Sequence, residues 1–353
     1  METLRIPVQK TEKSKQKTFD YDDFVFGVHP TDHIFLCEYK NGSWENPGIE
    51  PFRNLVLNPT SLCFHYGQTV FEGMKAFRQD DGRVHIFRPE KHHRRFNRSL
   101  ERMCMPLVGK ELFFNALEEL IGMEQCWLPE NRDTSLYIRP FVIATEARLG
   151  VKVSEEYLFC ITCTPMDTYY AKPVKVKVET EYVRAAEGGT GYAKCGGNYG
   201  AAFYPAQKAK EQGFDQVIWT DAKSHEFLEE SGTMNMMIFM KGKLITPKLS
   251  SSILDGVTRD SIIRIAKDLG YEVEERMINY RELEEELKSG NHVELFGAGT
   301  AAVVSPVSCV RIGEKDYHPF IEENAVMFRL KKELEDIRKG RAEDKYNWNH
   351  FID

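Results

Sequence analysis

The 353-residue chain contains no stretch approaching the ~20 consecutive apolar residues that a membrane-crossing helix requires. It also lacks a basic excess: 47 Lys and Arg stand against 54 Asp and Glu, a formal charge of −7. Binding to a phosphate backbone needs the opposite sign to release counterions, so nucleic acid is not an expected partner. Cysteine is sparse at eight residues, which excludes a disulfide scaffold and points to a reducing cytoplasm. Only Cys160 and Cys163 lie close together, in YLFCITCTP, and no second CxxC follows. Strand residues three apart point to opposite faces, so this pair reads as structural and reduced rather than as a metal or redox site. The first 23 residues are polar and Lys-rich without the apolar centre of a secretory signal. Residues 1–20 therefore read as a mobile, solvated arm. There is no fixed-period repeat and no low-complexity tract.

What is present is the composition of a globular protein, 42% hydrophobic and 29% charged, with length for about two domains. Residues 21–165 read as a small first domain. It contains a strand over 77–87, a helix opened by Pro89 with Phe96, Leu100 and Met103 at helical spacing, and a helix over 110–125. Strands over 135–145 and 156–164 complete it. The segment PMDTYYAKP, with flanking prolines and no apolar period, predicts a linker over 166–173. Strict alternation in PVKVKV then opens a larger domain, 174–353. Its expected order is a helix at 198–211, strands near 215–220 and 234–246, and a helix at 258–269. A strand at 272–276, a helix at 281–288, strands near 292–296 and 301–312, and a helix at 321–339 follow.

The most informative stretch is GGTGYAKCGGNYG, residues 188–200, in which six of thirteen positions are Gly around the single cation Lys194. Such a backbone can pass close to a bulky partner, although a flexible loop with a solvated Lys has the same composition. A second stretch, LEESGTMNMMIF, places Glu230 36 residues downstream beside a Gly-Thr pair. The Lys194 loop lacks the Gly-Lys-Ser/Thr run of a nucleotide-binding P-loop. GAGTAA (297–302) matches a dinucleotide fingerprint, but the β-branched AAVVSPVSCV that follows predicts a strand where that fingerprint needs a helix.

Pyridoxal phosphate matches the remaining pattern. Its aldehyde needs a lysine amine, its ring nitrogen an acid, and its phosphate a helix N-terminus and an Arg. Lys194 offers the Schiff-base amine, with Gly196 and Gly197 leaving room for the ring. Glu230 offers the acid, with Glu229 a rival on spacing alone. Tyr199 can donate to the ring oxygen. A helix opening at Gly256-Val257-Thr258, together with Gly299-Thr300, offers donors for the anion.

These residues carry a resemblance. YAKCGGNYG, ESGTMN, ILDGVTRDS, FGAGTAA, HYGQTVFEGMKAF, FRPEKHHRRFNRS and LYIRPF resemble the branched-chain amino acid aminotransferases, in order over roughly residues 20–350. The resemblance implies an α+β, two-domain fold of type IV, with a smaller N-terminal α/β domain and a larger C-terminal pseudo-barrel. It implies amino transfer from L-Leu, L-Ile or L-Val to α-ketoglutarate, giving 2-oxo acids and L-Glu. Lys194 would be the Schiff-base lysine and the acid–base at the substrate α-carbon. Arg95, Arg184, Tyr199, Glu230, Val257, Thr258 and Thr300 would bind the cofactor, and no metal is implied. Phe26, Tyr66, Phe71, Tyr137, Arg139, Val151, Thr233 and Ala301 would line the substrate side, with Tyr66 and Val151 supplied by the other subunit of a homodimer. Some family members carry a redox CxxC after the FGxGT turn. Here that place reads Ala302-Val303-Val304-Ser305, so no thiol switch is expected there.

By themselves the same residues have plainer readings. Arg95 alone is a solvated helix position, His92 and His93 are surface residues, and Tyr66, Phe71 and Tyr137 are core aromatics. Arg139 lies in an apolar run and needs an anion, for which a structural Glu competes with substrate. Rival activities are a D-amino acid aminotransferase or an aminodeoxychorismate lyase of the same fold. A nicotinamide-dependent oxidoreductase built on GAGTAA is the rival from another class.

Overall fold

The computed structural model describes residues 5–130, 132, 134–167 and 172–352. The chain divides into two compact units. One holds residues 1–167, 193–197 and 338–353, and the other holds 168–192 and 198–337.

The first unit is built on an antiparallel sheet. Its strand order is Asn349–Phe351, Val84–Phe87, Met74–Arg78, Ser135–Ala144, Tyr157–Met166, His33–Lys40 and Ser43–Pro51, with Thr69–Phe71 also pairing to Ser135–Ala144. Helices Pro89–Arg102 and Lys110–Glu124 supply the apolar residues that cover it, including Phe96, Leu100, Phe113 and Leu117. Pro89 at the first helical turn is preceded by Arg88 in the left-handed region (φ 53°), which turns the chain out of the preceding strand. On this helix His92, Arg95, Phe96 and Ser99 share the buried face, as spacings of three and four require. Phe159 anchors the core, with Phe35, Phe96 and Phe113 ring centroids 5.4–6.3 Å away.

The second unit contains a closed barrel. Strands Leu228–Ser231, Gln216–Thr220, Val174–Glu179, Val303–Ile312, Val293–Gly299 and Met234–Met240 pair in that order, and the last returns to the first. Closure removes the open edges that a six-stranded sheet would expose. Val174, Val176 and Val178 alternate inward, with Lys175 exposed between them. The expectation of an α+β chain in two units with a barrel in the second therefore holds, but the first unit, expected to be the smaller, is the larger of the two.

Several boundaries differ from expectation. The strand expected over 77–87 is a hairpin whose turn closes through the Gly82 amide to the Gln79 carbonyl. The 234–246 strand is likewise two, Met234–Met240 and Lys243–Pro247, joined by Lys241-Gly242 at positive φ. The 198–211 helix is split into Gly197–Gly200 and Phe203–Glu211. Met166 still belongs to a strand, and residues 168–171 of the expected 166–173 linker lie outside the described residues. The C-terminus does not stay with the second unit: Asn349–Phe351 adds an edge strand to Val84–Phe87 of the first. Cys160 and Cys163 are both buried and unpaired, and burial raises both thiols above their ordinary range.

The N-terminal arm is largely exposed, as a solvated segment would be, but it is anchored at several points from Ile6 onward. Ile6 enters the core, and the 7–9 backbone pairs with Ile49 through two hydrogen bonds of 2.8 and 2.9 Å. Buried Asp32 then accepts from the Ser14 hydroxyl and the Lys15 amide, and Phe19 packs on Trp127. The charged lysines masked an arm held by a few anchors. Replacing Asp32→Ala removes two of them, each worth ~1–3 kcal/mol. Trypsin cleavage between Lys10 and Lys17 is expected to accelerate at least about tenfold while the rest of the chain stays intact, as followed by mass spectrometry.

Candidate active site

In the first unit Phe71, Arg139, Tyr137 and Phe26 gather near Lys194. The run 193–197 joins this unit through a bridge between Val70 and Cys195. The Lys194 backbone is held at both ends. Its amide donates to Ser99 Oγ at 2.9 Å, and its carbonyl accepts from the Phe71 amide at 3.0 Å. Lys194 Nζ lies 4.7 Å from the Phe71 ring centroid, a cation–π distance. The Arg139 guanidinium lies 4.8 Å from the same ring, and its Nη2 donates to the Tyr137 hydroxyl at 3.1 Å. Phe26 packs edge-on against Tyr137, and the absent side chain of Gly73 makes room for the Tyr137 hydroxyl. Among the described residues no carboxylate pairs with Arg139, and its buried Nε has no hydrogen-bond partner. The structural Glu considered for it is therefore not there.

Arg95 is buried rather than solvated. Its Nε and Nη2 grip Glu72 at 2.6 and 2.8 Å, and His92 Nδ1 donates to the same carboxylate at 2.8 Å. His92, expected on the surface, is thus a core residue, while His93 turns to the Val108 carbonyl. Tyr66 and Val151 face outward instead of joining Phe71: they are 39% and 81% exposed, and the Tyr66 hydroxyl donates to the Leu149 carbonyl.

In the second unit a second set converges at one end of the barrel. Buried Glu230 accepts from the Leu254 amide at 2.9 Å and pairs with Arg184 Nε at 3.1 Å. Arg184 also donates to the carbonyls of Gly191 and Ser252, so it ties the glycine-rich segment to the Glu230 strand. Asn235, opposite Glu230 in the ladder, donates to the Leu254 carbonyl and abuts Gly256, where a Cβ would lie 1.9 Å from its Oδ1. That contact seats the N-terminus of helix Val257–Asp268, which no side chain caps, beside Glu230's strand. The Thr300-Ala301 turn and the Gly232-Thr233 turn lie side by side, since a Cβ on Gly299 would meet the Thr233 carbonyl at 3.3 Å. Tyr199 sits half-buried on helix Gly197–Gly200.

The loop glycines have a more local cause than expected. A Cβ on Gly196 would meet Thr69 Oγ1 at 2.4 Å, whereas one on Gly197 meets nothing within 4 Å. Close packing of Gly196 on Thr69 by itself requires a glycine there. Sequence reasoning also missed Glu72 and Ser99. The available signals were an acid next to Phe71 that could neutralise a buried Arg, and a hydroxyl four residues after Arg95 on the same helix face.

Taken separately, each unit offers groups that an anionic aromatic aldehyde such as pyridoxal phosphate needs. The first has a half-buried amine near an aromatic ring and a buried arginine, and the second has a helix N-terminus without a side-chain cap and a buried acid. Among the described residues no cluster of three His, Cys, Asp or Glu could hold a metal ion, and no helix is long and apolar enough to cross a membrane.

The neighbouring Glu229 differs from Glu230. Burial, aided by the Glu230 charge, pushes its carboxyl up to about 7 despite its bond to the Ser252 hydroxyl and the nearby Arg184. Between its ordinary value and 7 the folded protein keeps a proton that the unfolded chain loses, so stability falls as pH rises through this window. Glu229→Gln mimics the protonated form. Its melting temperature is expected to equal the parent's near pH 5 and exceed it at pH 8, a gain of up to about 3 kcal/mol.

Comparison with known proteins is consistent with this arrangement. Residues 69–310 match the family model for amino-transferase class IV. The chain is 45% identical to branched-chain-amino-acid transaminase 1 of Bacillus subtilis (strain 168), over 96% of this chain and 97% of the relative. The solved branched-chain amino acid aminotransferase from Escherichia coli superposes with a TM-score of 0.73 at 25% identity, covering 91% of this chain and 99% of that one. The PLP-form of the branched-chain amino acid aminotransferase from Thermobaculum terrenum gives 0.74 at 22% identity, over 90% and 98%, a likeness of fold. With a family match across most of its length and full-length relatives above 40% identity, the chain belongs to the class IV aminotransferases.

Proposed function

We propose that this enzyme transfers the amino group of L-Leu, L-Ile or L-Val to α-ketoglutarate, using pyridoxal 5′-phosphate engaged by Lys194. The observation that carries this reading is the setting of Lys194, clamped by backbone bonds at both sides of its Cα with its amine over Phe71. The names of the full-length relatives support the choice of branched-chain substrates. The cofactor, when bound, supplies an electron sink for charge developing at the substrate α-carbon. Lys194 then takes and returns the proton at that carbon, and its fixed backbone limits where the amine can reach. Glu230, desolvated and backed by Arg184, keeps a ring nitrogen protonated, and the Tyr199 hydroxyl donates to the ring oxygen. Arg95, Val257, Thr258 and Thr300 hold the phosphate. Arg184 acts through Glu230, its ion-pair partner.

Phe26, Phe71 and Tyr137 form the apolar wall for a branched side chain, and the family resemblance assigns Thr233 and Ala301 to the substrate side. Arg139, held by the Tyr137 hydroxyl and without a carboxylate partner among the described residues, binds the side-chain carboxylate of glutamate. One methylene in such a pocket is worth only ~1–3 kcal/mol, so Leu, Ile and Val are all accepted. A second copy of the chain completes the pocket with Tyr66 and Val151. The exposed apolar residues Phe64 (59%), Leu149 (62%) and Val151 (81%) support such an interface. Eight unpaired cysteines suit a reducing cytoplasm. The nicotinamide alternative loses its basis in the strand Val303–Ile312, which occupies the place of the required helix.

Four measurements test the proposal. Borohydride reduction followed by peptide mass spectrometry is expected to place a pyridoxyl adduct on Lys194, and an unmodified Lys194 in fully active enzyme would sink the reading. In α-ketoglutarate-dependent assays, L-Leu, L-Ile and L-Val are expected to be used within about 100-fold of one another. Lys194→Ala is expected to lower kcat by ~10²–10⁴ or more. Preference for a D-amino acid would overturn the specificity. Val151→Asp is expected to shift the protein toward monomer in sedimentation and to raise KM.

A further inference from the structure

Glu72 is a fully buried carboxylate with no role in the proposed chemistry. Its two oxygens receive four donors: Arg95 Nε at 2.6 Å on Oε1, and Arg95 Nη2, His92 Nδ1 and the Gly73 amide at 2.8, 2.8 and 3.1 Å on Oε2. Burial alone would raise this carboxyl, but the Arg95 charge and then His92 hold it below the usual carboxylate range, so it is ionised. Burial lowers His92, which leaves a neutral imidazole whose Nδ1–H points at the carboxylate. A guanidinium is planar with its N–H groups in a fixed fork. Gripping the Nε–Nη2 edge therefore fixes the plane and aims the opposite edge away from Glu72.

The same dipeptide also fixes the lysine. Phe71's amide holds the Lys194 carbonyl, Glu72's own amide is anchored on the Pro140 carbonyl, and Ser99 joins the Arg95 carbonyl to the Lys194 amide. Phe71-Glu72 and one face of helix Pro89–Arg102 thus form a single frame that sets the Arg95 side chain relative to the Lys194 backbone.

We propose that Glu72, braced by His92, is a positioning residue that aims the Arg95 guanidinium at the phosphate of the cofactor. The inference rests on the reading of Arg95 as a phosphate ligand. A residue needed only for folding would weaken every ligand alike. One that aims Arg95 affects only ligands that carry the phosphate. The discriminating quantity is the ratio of affinities of the apoenzyme for pyridoxal 5′-phosphate and for pyridoxal, read from cofactor absorbance or quenching of protein fluorescence.

Glu72→Gln is expected to lower this ratio about 10- to 100-fold, the scale of a hydrogen bond to a charged group, with pyridoxal affinity held within about twofold. His92→Phe, which removes only the brace, is expected to lower the ratio by a smaller factor, and it decides the matter if Glu72→Gln does not fold. Arg95→Gln is expected to give the full loss, and adding Glu72→Gln to it is expected to change the ratio no further. Equal weakening of both ligands, or an unchanged ratio in both the Glu72 and His92 variants while Arg95→Gln lowers it, would overturn the role of Glu72 alone. An unchanged ratio in Arg95→Gln would overturn the reading of Arg95 itself and this inference with it.

Discussion

A buried ion pair organises the part of the first unit that carries Lys194. Arg95 could not be buried without an opposite charge, because an unpaired guanidinium out of water costs several kcal/mol. Glu72 supplies that charge from a short segment whose neighbour, Phe71, is hydrogen-bonded to the Lys194 carbonyl. One electrostatic requirement therefore couples an arginine on a helix to a lysine in a loop nearly a hundred residues away. His92 and the Gly73 amide use the remaining acceptor capacity of the carboxylate, so the pair is held in one geometry rather than merely neutralised.

The second unit solves a different problem by similar means. Glu230 must stay desolvated yet positioned, and it does so between an arginine and a backbone amide. Asn235, its ladder partner, reaches the segment before helix Val257–Asp268 and packs against Gly256. A closed barrel makes this possible because the strands bearing Glu230 and Asn235 pair directly and also complete the ring. Glu229, one residue away, is buried as well, and burial raises its carboxyl. The order Glu-Ser-Gly-Thr favours Glu230 over Glu229, and the two carboxylates differ in their partners: Arg184 and the Leu254 amide for one, the Ser252 hydroxyl for the other.

Reading order from residues worked best where a local cause acts alone. Pro89 starting a helix, the Val174–Val178 alternation and the 272–276 strand needed nothing beyond neighbouring residues. It failed where a distant partner decides. The lysines of residues 10–17 are exposed as a solvated arm implies, but the backbone contacts to Asp32 and Ile49 have no local signal. His92 looked like a surface residue because nothing near it in sequence reveals Glu72 twenty positions earlier. The two hairpins were merged into single strands because their turns interrupt the apolar pattern only briefly.

The sequence by itself determined the chemical inventory: one lysine in a glycine-rich loop, an acid beside Gly-Thr, an uncapped Gly-Val-Thr helix start and an isolated arginine in an apolar strand. Motif order and spacing along nearly the whole chain were enough to name a family. Tertiary structure decided what each of these groups leans on. Gly196 is required by Thr69, Arg95 is held by Glu72, and Lys194 is clamped between Ser99 and Phe71. Those partners lie 23 to 127 residues apart, where no local periodicity or propensity carries information. Only burial, which forces every polar group to find a partner, brings them together.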